Sequence, residues 1–337
     1  MPFDNDIRLN AAARAPRRTV LAVGLALTVA ALPAAWAQTP WPAKPVRIVV
    51  PFNAGGPVDQ LARVMALKLA PILGQPVVVE NKGGAATIIG WDTVAKSAPD
   101  GYTLLMAGVG GRAILPSLAN LPYDPAKDFA SVTRVANSPN VFVVQSGRGP
   151  QNLKDWLVQA KASPGKLNVG LAAPGTLTHF AGVVLQKETG ITLTEVPYKG
   201  GAPAVNALLS GEIDVLTADI GAVLPFVQSG RLTALAVADR SRSPFLPQVP
   251  TLTELGVADI DGVNVFGLYA PARTPRDVLT RIARASADVL QQQEVKDIFA
   301  KLGMTAEAST PEQFEAINRA QTERWAPIAR ASGVRIN

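Results

Sequence analysis

Short apolar runs alternate with longer segments of helical spacing along most of the chain. Val46–Val50 is a run typical of a buried strand, and in Pro57–Leu73 apolar residues recur every three or four positions until Gly74. The alternation continues with two more strand-like runs, at 77–79 and 102–106, and with a helical pattern between them at 87–98. This β-α-β-α-β order predicts a parallel sheet with helices on both faces.

The alternation restarts after residue 140 and predicts a second domain. Strand-like runs and helical patterns follow in turn at 141–145, 152–162, 167–171, 176–189, 192–197, 203–210, 213–218, 223–229 and 232–237. After a Pro-, Ser- and Thr-rich segment at 239–262, a strand and three helices are predicted at 266–270, 275–291, 294–302 and 311–329. We expect an α/β protein of two lobes, each a central, mostly parallel sheet flanked by helices. Lobe 1 comprises 38–139 and 263–337, lobe 2 comprises 140–262, and the two crossings create a hinge and a cleft.

The first 37 residues have the features of a cleavable signal peptide. Arg14, Arg17 and Arg18 precede an apolar run at 19–32, and Ala35-Trp36-Ala37 is an A-x-A cleavage site. The alternative, a membrane anchor, is weaker because the run is shorter than the roughly 20 apolar residues that a spanning helix needs. We therefore expect export to the periplasm and a mature chain that begins at Gln38. Whether export uses the general or the twin-arginine route stays open.

Charge and composition narrow the classes of function. The leader carries four Arg and two Asp, so its removal lowers the formal charge from +6 to +4. No basic run is interleaved with aromatic residues, and nucleic acid is therefore not an expected partner. The chain has no cysteine, which excludes thiol catalysis and thiolate metal sites. A mild positive charge weakly favours small anions as ligands.

Glycine-containing loops connect predicted strands to predicted helices in both halves of the chain. The carboxyl ends of strands line the ligand crevice of open α/β sheets, and the free N–H groups of a helix start attract carboxylates. The alternative is that these loops are ordinary turns. None matches a nucleotide-binding fingerprint, and we expect no cofactor. The loops lie at 51–57, 82–87, 172–176 and 198–202.

Four charged or titratable residues near these loops are candidates for a functional role. Asp59 either stabilises its loop or acts chemically, and the first is favoured by its place in the first helical turn. His179, the single histidine, either reaches a ligand or fixes its own loop. Arg112 either binds a carboxylate or is a solvated surface residue, and Asp219 is a candidate for binding a ligand ammonium. One histidine and no G-x-S-x-G motif argue against an enzyme and against a metal site.

Several motifs in order along the chain resemble one receptor family. They include W-P-A-K-P-V-R-I-V-V-P-F at 41–52 with Gly55-Gly56 and Asp59, P-D-G-Y-T-L-L at 99–105, and L-P-Y-D-P at 121–125. Lobe 2 adds Gly175-Thr176 with His179, and V-P-Y-K-G at 196–200. In order and spacing, these motifs resemble the Bug (TctC-like) receptors of tripartite tricarboxylate transporters.

The resemblance implies a periplasmic protein of the Venus-flytrap type, similar to type II binding proteins, that captures a small organic acid. It implies that backbone N–H groups hold the acid at Gly55-Gly56 and Gly175-Thr176, with transporter membrane subunits as partners. A receptor for a membrane sensor is the alternative role, and we expect a monomer. The loops and the resemblance together give the candidate ligand-binding residues Phe52, Asn53, Ala54, Gly55, Gly56, Asp59, Thr87, Ala172, Ala173, Gly175, Thr176, His179, Tyr198 and Asp219.

The sequence departs from the common family pattern in both loops. Ala54 and Val58 replace a proline and a threonine in the first loop, which removes a hydroxyl near the expected anion site. Leu171 and Phe180 replace a smaller serine and a leucine in lobe 2. From these departures we expect a ligand with an apolar or aromatic body, as a mono- or dicarboxylate, rather than a highly polar tricarboxylate.

Overall fold

A computed structural model describes residues 41–336 except Ala173 and Lys199. The predicted signal peptide at 1–37 and the candidate Ala173 therefore lie outside the described residues. Within this part of the chain, no helix combines the length and apolarity needed to cross a bilayer.

The elements follow in chain order, with short 3₁₀ turns at Ala85–Thr87 and Leu115–Ser117. The strands are β1 (Val46–Val50), β2 (Val77–Asn81), β3 (Thr103–Gly108), β4 (Phe129–Ser138), β5 (Asn140–Gln145), β6 (Asn168–Leu171), β7 (Thr194–Pro197), β8 (Val215–Asp219), β9 (Leu232–Val237), β10 (Asn264–Pro271) and β11 (Thr305–Ala306). The helices are α1 (Pro57–Leu73), α2 (Ile88–Ala95), α3 (Gly110–Ala113), α4 (Leu153–Ala162), α5 (Leu177–Thr189), α6 (Gly201–Ser210), α7 (Ile220–Gln228), α8 (Arg276–Gln291), α9 (Gln293–Lys301) and α10 (Pro311–Ala331).

The strands form two sheets with helices around them. The first sheet has the order β11-β4-β10-β3-β1-β2 and the second has the order β7-β6-β8-β5-β9. Each is mixed rather than mostly parallel: β2, β1 and β3 run parallel in one sheet, and β7, β6 and β8 in the other. The remaining strands pair antiparallel, because the chain enters and leaves each sheet through β4, β5, β9 and β10 near the crossings.

Strand β4 is the largest element that the sequence pattern did not predict. Its ten residues pair along β10, with register shifts on both sides of the segment from Gly267 to Leu268. Buried polar residues, Ser131 and Thr133, interrupt its apolar run and hide the signal of a strand. Their hydroxyls are satisfied by distant partners, Glu315 and the carbonyl of Ser309, and a local pattern cannot reveal such partners.

Two crossings connect the sheets. The chain passes from β4 to β5 at Pro139, and it returns through the irregular segment between β9 and β10. The side-chain amide of Asn140 ties the two crossings together by donating to the carbonyl of Gly262, 2.5 Å away. The division of the chain into lobes at 139/140 and 262/263 stays a prediction.

Apolar side chains fill three buried clusters. One packs α1, α8 and α9 against the first sheet, and a second packs α6 and α7 against the second sheet. The third joins both sheets through residues such as Trp91, Phe142 and Phe180. Burial of these apolar side chains supplies the main stabilisation of the fold, and it fixes the positions of the strand ends at the junction.

Candidate functional site

The carboxyl ends of the parallel strands bring the predicted loops together in each lobe. In lobe 1 the loops after β1 and β2 are in contact, since a Cβ added to Gly83 would lie 2.6 Å from Oδ1 of Asn53. Phe52 is half-buried, while Asn53, Ala54 and Gly55 are exposed at this edge. In lobe 2, β6, β7 and β8 end at one edge, which carries Ala172, Gly175, Thr176, Tyr198 and Asp219.

The two edges face each other. Asn264, at the start of β10, donates through Nδ2 to Oδ1 of Asp219 at 2.6 Å and to Oγ1 of Thr178 at 2.9 Å, both in lobe 2. A Cβ added to Gly110, just after β3, would lie 3.2 Å from the backbone nitrogen of Leu177. The carboxyl ends of both sets of parallel strands therefore border one cleft, the location in which α/β proteins bind ligands.

Asp59 fixes the first glycine loop of lobe 1. Its carboxylate accepts the N–H of Gly55 at 2.9 Å, Nε of Arg63 at 2.9 Å and Nδ2 of Asn81 at 3.0 Å. The residue is 2% exposed. Burial by itself would raise the pKa of Asp59, but the hydrogen bonds from Arg63, Gly55 and Asn81 outweigh burial and hold the pKa below its ordinary value. The geometry accords with loop stabilisation.

His179 fixes the glycine loop of lobe 2 in the same manner. Its Nδ1 accepts the N–H of Gly175 at 3.1 Å, and its Nε2 lies 3.2 Å from Oε1 of Glu195 on β7. Because Nδ1 is an acceptor, the proton of the neutral imidazole is on Nε2, which donates to Glu195. The residue is 4% exposed, so its ring is part of the loop's support.

The two glycine N–H groups are thus already engaged, which corrects part of the sequence prediction. The N–H of Gly55 points at Asp59 and that of Gly175 points at His179. The helices that follow begin at Gly56, which makes no side-chain capping bond, and at Thr176. The first-turn N–H groups of α1 and α5 are the donors that remain for an anion.

The second loop of lobe 1 has an unusual backbone. Ala85, Ala86 and Thr87 all have positive φ, at 43°, 50° and 80°. Three successive left-handed residues that are not glycine carry strain, which is typical of functional sites. Thr87 is buried, and it precedes α2 without a side-chain capping bond.

The hydroxyl of Tyr198 is bonded to a residue outside the four predicted loops. The hydroxyl donates to Oε1 of Glu212 at 2.7 Å. Burial, together with the hydrogen bond to the Glu212 carboxylate, raises the pKa of Tyr198 to about 12. The residue remains a candidate through its ring, which borders Gly170.

Asp219 lies where the two lobes meet, among polar groups from both crossings. Burial raises the pKa of Asp219 to about 6, and the hydrogen bond from Asn264 opposes this rise. The strand pairing places Asn140 opposite Asp219 and Ser138 opposite Asn264. Oδ1 of Asn140 and Oγ of Ser138 are buried without a hydrogen-bond partner among the described residues. This polar junction has unused hydrogen-bonding capacity.

Arg112 is not a solvated surface residue, and that alternative is wrong. It is 7% exposed. Nη1 and Nη2 bond to Oε2 and Oε1 of Glu315 at 2.8 and 3.2 Å, and Nη1 also contacts Ser131. Its guanidinium is held inside lobe 1 because α10, far along the chain, supplies the carboxylate.

Three of the four residues that depart from the family pattern are buried. Val58, Leu171 and Phe180 are buried, and Val58 and Phe180 belong to the apolar clusters of lobe 1 and of the lobe junction. Ala54 is exposed at the cleft edge. The case for an apolar cleft therefore rests on Ala54 more than on the other three side chains.

Sequence reasoning missed the groups that hold the candidate residues. Arg63 follows Asp59 by four positions, a spacing that favours an ion pair on a helix and was available as a signal. Asn81, Glu195 and Asn264 come from distant strands, and no local pattern indicates them. Among the described residues, no cluster of His, Asp or Glu has the arrangement of a metal site.

Comparison with known proteins agrees with this geometry. Residues 61–334 match the model of the tripartite tricarboxylate transporter family receptor. Protein BugT of Bordetella pertussis is 35% identical over 324 residues, covering 95% of this chain and 98% of BugT.

Solved structures extend the comparison to ligands. A protein of R. palustris with adipate has a TM-score of 0.82 and 31% identity, covering 88% of this chain and 99% of that one. MatC of Rhodopseudomonas palustris with bound malate has a TM-score of 0.81 and 29% identity, covering 86% of this chain and all of that one. The predicted two-lobed α/β fold and the predicted family are confirmed. The chain belongs to the tripartite tricarboxylate transporter receptor family, which includes the Bug proteins.

Proposed function

We propose that this protein is a periplasmic receptor that closes its two lobes on a small organic acid and delivers it to the membrane subunits of a tripartite tricarboxylate-type transporter. One observation carries the proposal: the starts of α1 and α5, at Gly56 and Thr176, border a cleft from opposite lobes. Each has partial positive charge that favours a carboxylate. The structures with adipate and malate support a carboxylate as the ligand.

The surrounding charges favour recognition by the backbone rather than by a cationic side chain. Arg63 is paired with Asp59, and Arg47 and Lys82 are both paired with Glu80. Arg112 is paired with Glu315. Among the residues that the structure describes, these ion pairs leave the helix starts as the groups that attract an anion. The ligand is a mono- or dicarboxylate, and an apolar or aromatic body is our specific expectation.

A thermal-shift screen of organic acids tests the capture step. At a free concentration of 100 times Kd, a ligand stabilises the folded state by about 2.7 kcal/mol, which raises Tm by about 5 °C in a protein of this size. We expect adipate, malate or a related acid to produce a saturable rise, and benzoate to outperform citrate. No response to any carboxylate would contradict the proposal.

A second role, presentation of the ligand to a membrane sensor, uses the same capture step. The test that separates the two roles is uptake of radiolabelled acid in cells that lack this receptor. Loss of uptake, with restoration by the wild-type chain, supports transport. Normal uptake with a lost transcriptional response supports sensing.

A further inference from the structure

The two lobes hold their cleft loops with the same hydrogen-bonded ring. In each lobe a glycine with positive φ, Gly55 at 88° or Gly175 at 77°, precedes a helix by two positions. Its N–H donates to the side chain four residues later, Asp59 in lobe 1 and His179 in lobe 2. The ring engages the N–H of the glycine and does not include the first-turn N–H groups of the helix that follows.

The acceptors of the two rings respond differently to protons. A carboxylate such as Asp59, whose pKa lies below its ordinary value, remains an acceptor throughout the neutral and mildly acidic range. An imidazole accepts at Nδ1 only while that nitrogen is unprotonated. Histidine is the side chain that changes its charge between about pH 5 and 8. Protonation of His179 would place a proton on Nδ1. The N–H of Gly175 would then face another N–H instead of an acceptor.

The groups around His179 fix its neutral tautomer. Glu195 on β7 is the charged residue within ion-pair distance of the imidazole among the described residues, at 3.2 Å. Asp219 on β8 is bonded to Asn264, which contacts the neighbouring Thr178 rather than His179. Phe180 packs its ring against the imidazole at 5.1 Å. Lobe 1 faces this loop with Gly110, Leu115 and Leu118, which carry no charge.

The Gly175 loop lies directly against side chains from the predicted lobe 1. A Cβ added to Gly175 would lie 2.5 Å from Cδ1 of Ile336 and 3.1 Å from Cδ2 of Leu115. Both residues belong to lobe 1 in the predicted division, and the N–H of Ile336 donates to the carbonyl of Leu118. The state of His179 is therefore coupled to the contact between the lobes.

We propose that His179 is a positioning residue that holds the Gly175 loop in its ligand-binding form only as the Nε2-protonated neutral imidazole, and that acidification releases this loop while the Asp59 loop stays in place. This inference rests on the proposed function, since it concerns the same cleft. Its consequence is that affinity for a carboxylate falls when His179 becomes protonated. Glu195 orients the ring through its contact with Nε2.

Nuclear magnetic resonance tests the inference without any ligand. His179 is the single histidine of the chain, so uniformly ¹⁵N-labelled protein purified with a tag free of histidine gives signals from one imidazole. At pH 8 we expect the Nε2–H tautomer, and we expect the Gly175 amide signal to follow the imidazole titration. An Nδ1–H tautomer, or a Gly175 signal that ignores the titration, overturns the inference.

Matched variants test the link to binding, with adipate as the probe. His179→Asn keeps an acceptor near the Nδ1 position that does not titrate, whereas His179→Ala removes the acceptor. In calorimetry we expect the affinity ratio of His179→Asn to wild type to rise by about two- to tenfold from pH 8 to pH 5, the worth of one hydrogen bond. His179→Ala should bind weakly at both pH values, and a constant ratio would contradict the inference.

Two controls separate the possible failures. Glu195→Gln keeps an acceptor for Nε2–H but removes the charge, so the Nε2–H tautomer and the bond from Gly175 should both persist at pH 8. Asp219 titrates in the same range, but it is present in wild type and in His179→Asn, and its effect cancels in their ratio. If adipate fails to bind, the resonance experiment still decides the role of His179, while the proposed function is judged by the acid screen.

Discussion

The loops of the two lobes meet one structural demand with two kinds of chemistry. Both must keep a glycine in a left-handed conformation before a helix start, and both do so with a side chain at the third helical position. Asp59 has three donors and a charge, whereas His179 has one donor and depends on its tautomer. We therefore expect the lobe-1 loop to keep its hydrogen bond at all working pH values. The hydrogen bond of the lobe-2 loop depends on the protonation state of His179.

The largest expected difference between the loops comes from valine at each glycine. Gly175→Val meets Ile336 and Leu115, whereas a Cβ at Gly55 has nothing within 4 Å. Both variants carry left-handed strain of about 1–2 kcal/mol, and overpacking adds about 1–3 kcal/mol in Gly175→Val. Urea unfolding should show the larger loss for Gly175→Val. Equal losses would contradict the difference in packing.

Replacement of Asp59, the acceptor of the lobe-1 loop, should have the next largest effect on the unfolding free energy. Asp59→Asn weakens hydrogen bonds to a charged acceptor, and we expect a loss of about 2 kcal/mol in unfolding free energy. Because the folded-state pKa of Asp59 is lowered, its contribution is present above the unfolded pKa and is lost as pH falls through the folded value. The difference between wild type and Asp59→Asn should thus be constant from pH 5 to pH 8, as measured by urea titration. A difference that shrinks within this range would contradict the assignment.

A smaller effect is expected at the junction of the two edges. The folded-state pKa of Asp219 is raised to about 6, so the folded state loses stability as pH rises from the unfolded pKa to that value. Asp219→Asn removes this loss. Its unfolding free energy relative to wild type should therefore rise by roughly 1 kcal/mol from pH 4 to pH 8, after discounting for partial exposure. Thermal unfolding at the two pH values measures it. A gain that is the same at both would mean that Asp219 keeps an ordinary pKa.

The smallest effect on binding is expected from the ion pair that sequence reasoning misjudged. Arg112→Met leaves Glu315 partly buried without its cation, which costs stability. Because Arg112 is held inside lobe 1, affinity for a carboxylate should change by less than about twofold, within the scatter of neutral substitutions. Calorimetry at a temperature well below Tm measures this, and a tenfold loss would return Arg112 to the list of ligand contacts.

Local signals in the sequence predict the scaffold better than the contacts that complete the site. The run Val46–Val50, the helical spacing of α1 and the stop at Gly74 each depend on neighbouring residues, and all three are found where they were predicted. Strand β4 was missed because distant groups satisfy its polar residues. The cleft loops were predicted from glycine and from the family resemblance.

The hydrogen bonds that fix those loops illustrate the limit of prediction from sequence. The ring from Gly55 to Asp59 is local, and its spacing could be read from the sequence. The fixing of the His179 tautomer requires Glu195, and the joining of the edges requires Asn264, which lies 45 positions from Asp219. Only the folded chain brings these residues together.

Calorimetry with the best acid of the screen tests the central claim most directly, on wild type, Gly56→Val and Leu67→Ala. Gly56 has φ of −76° and no atom closer than 3.8 Å to an added Cβ, so valine should be tolerated by the fold while it covers the start of α1. Leu67 is exposed on the same helix and serves as the control. We expect at least a hundredfold loss of affinity in Gly56→Val, or about 2.7 kcal/mol, and none in Leu67→Ala. Wild-type affinity in a folded Gly56→Val protein would contradict capture of the acid at the helix starts.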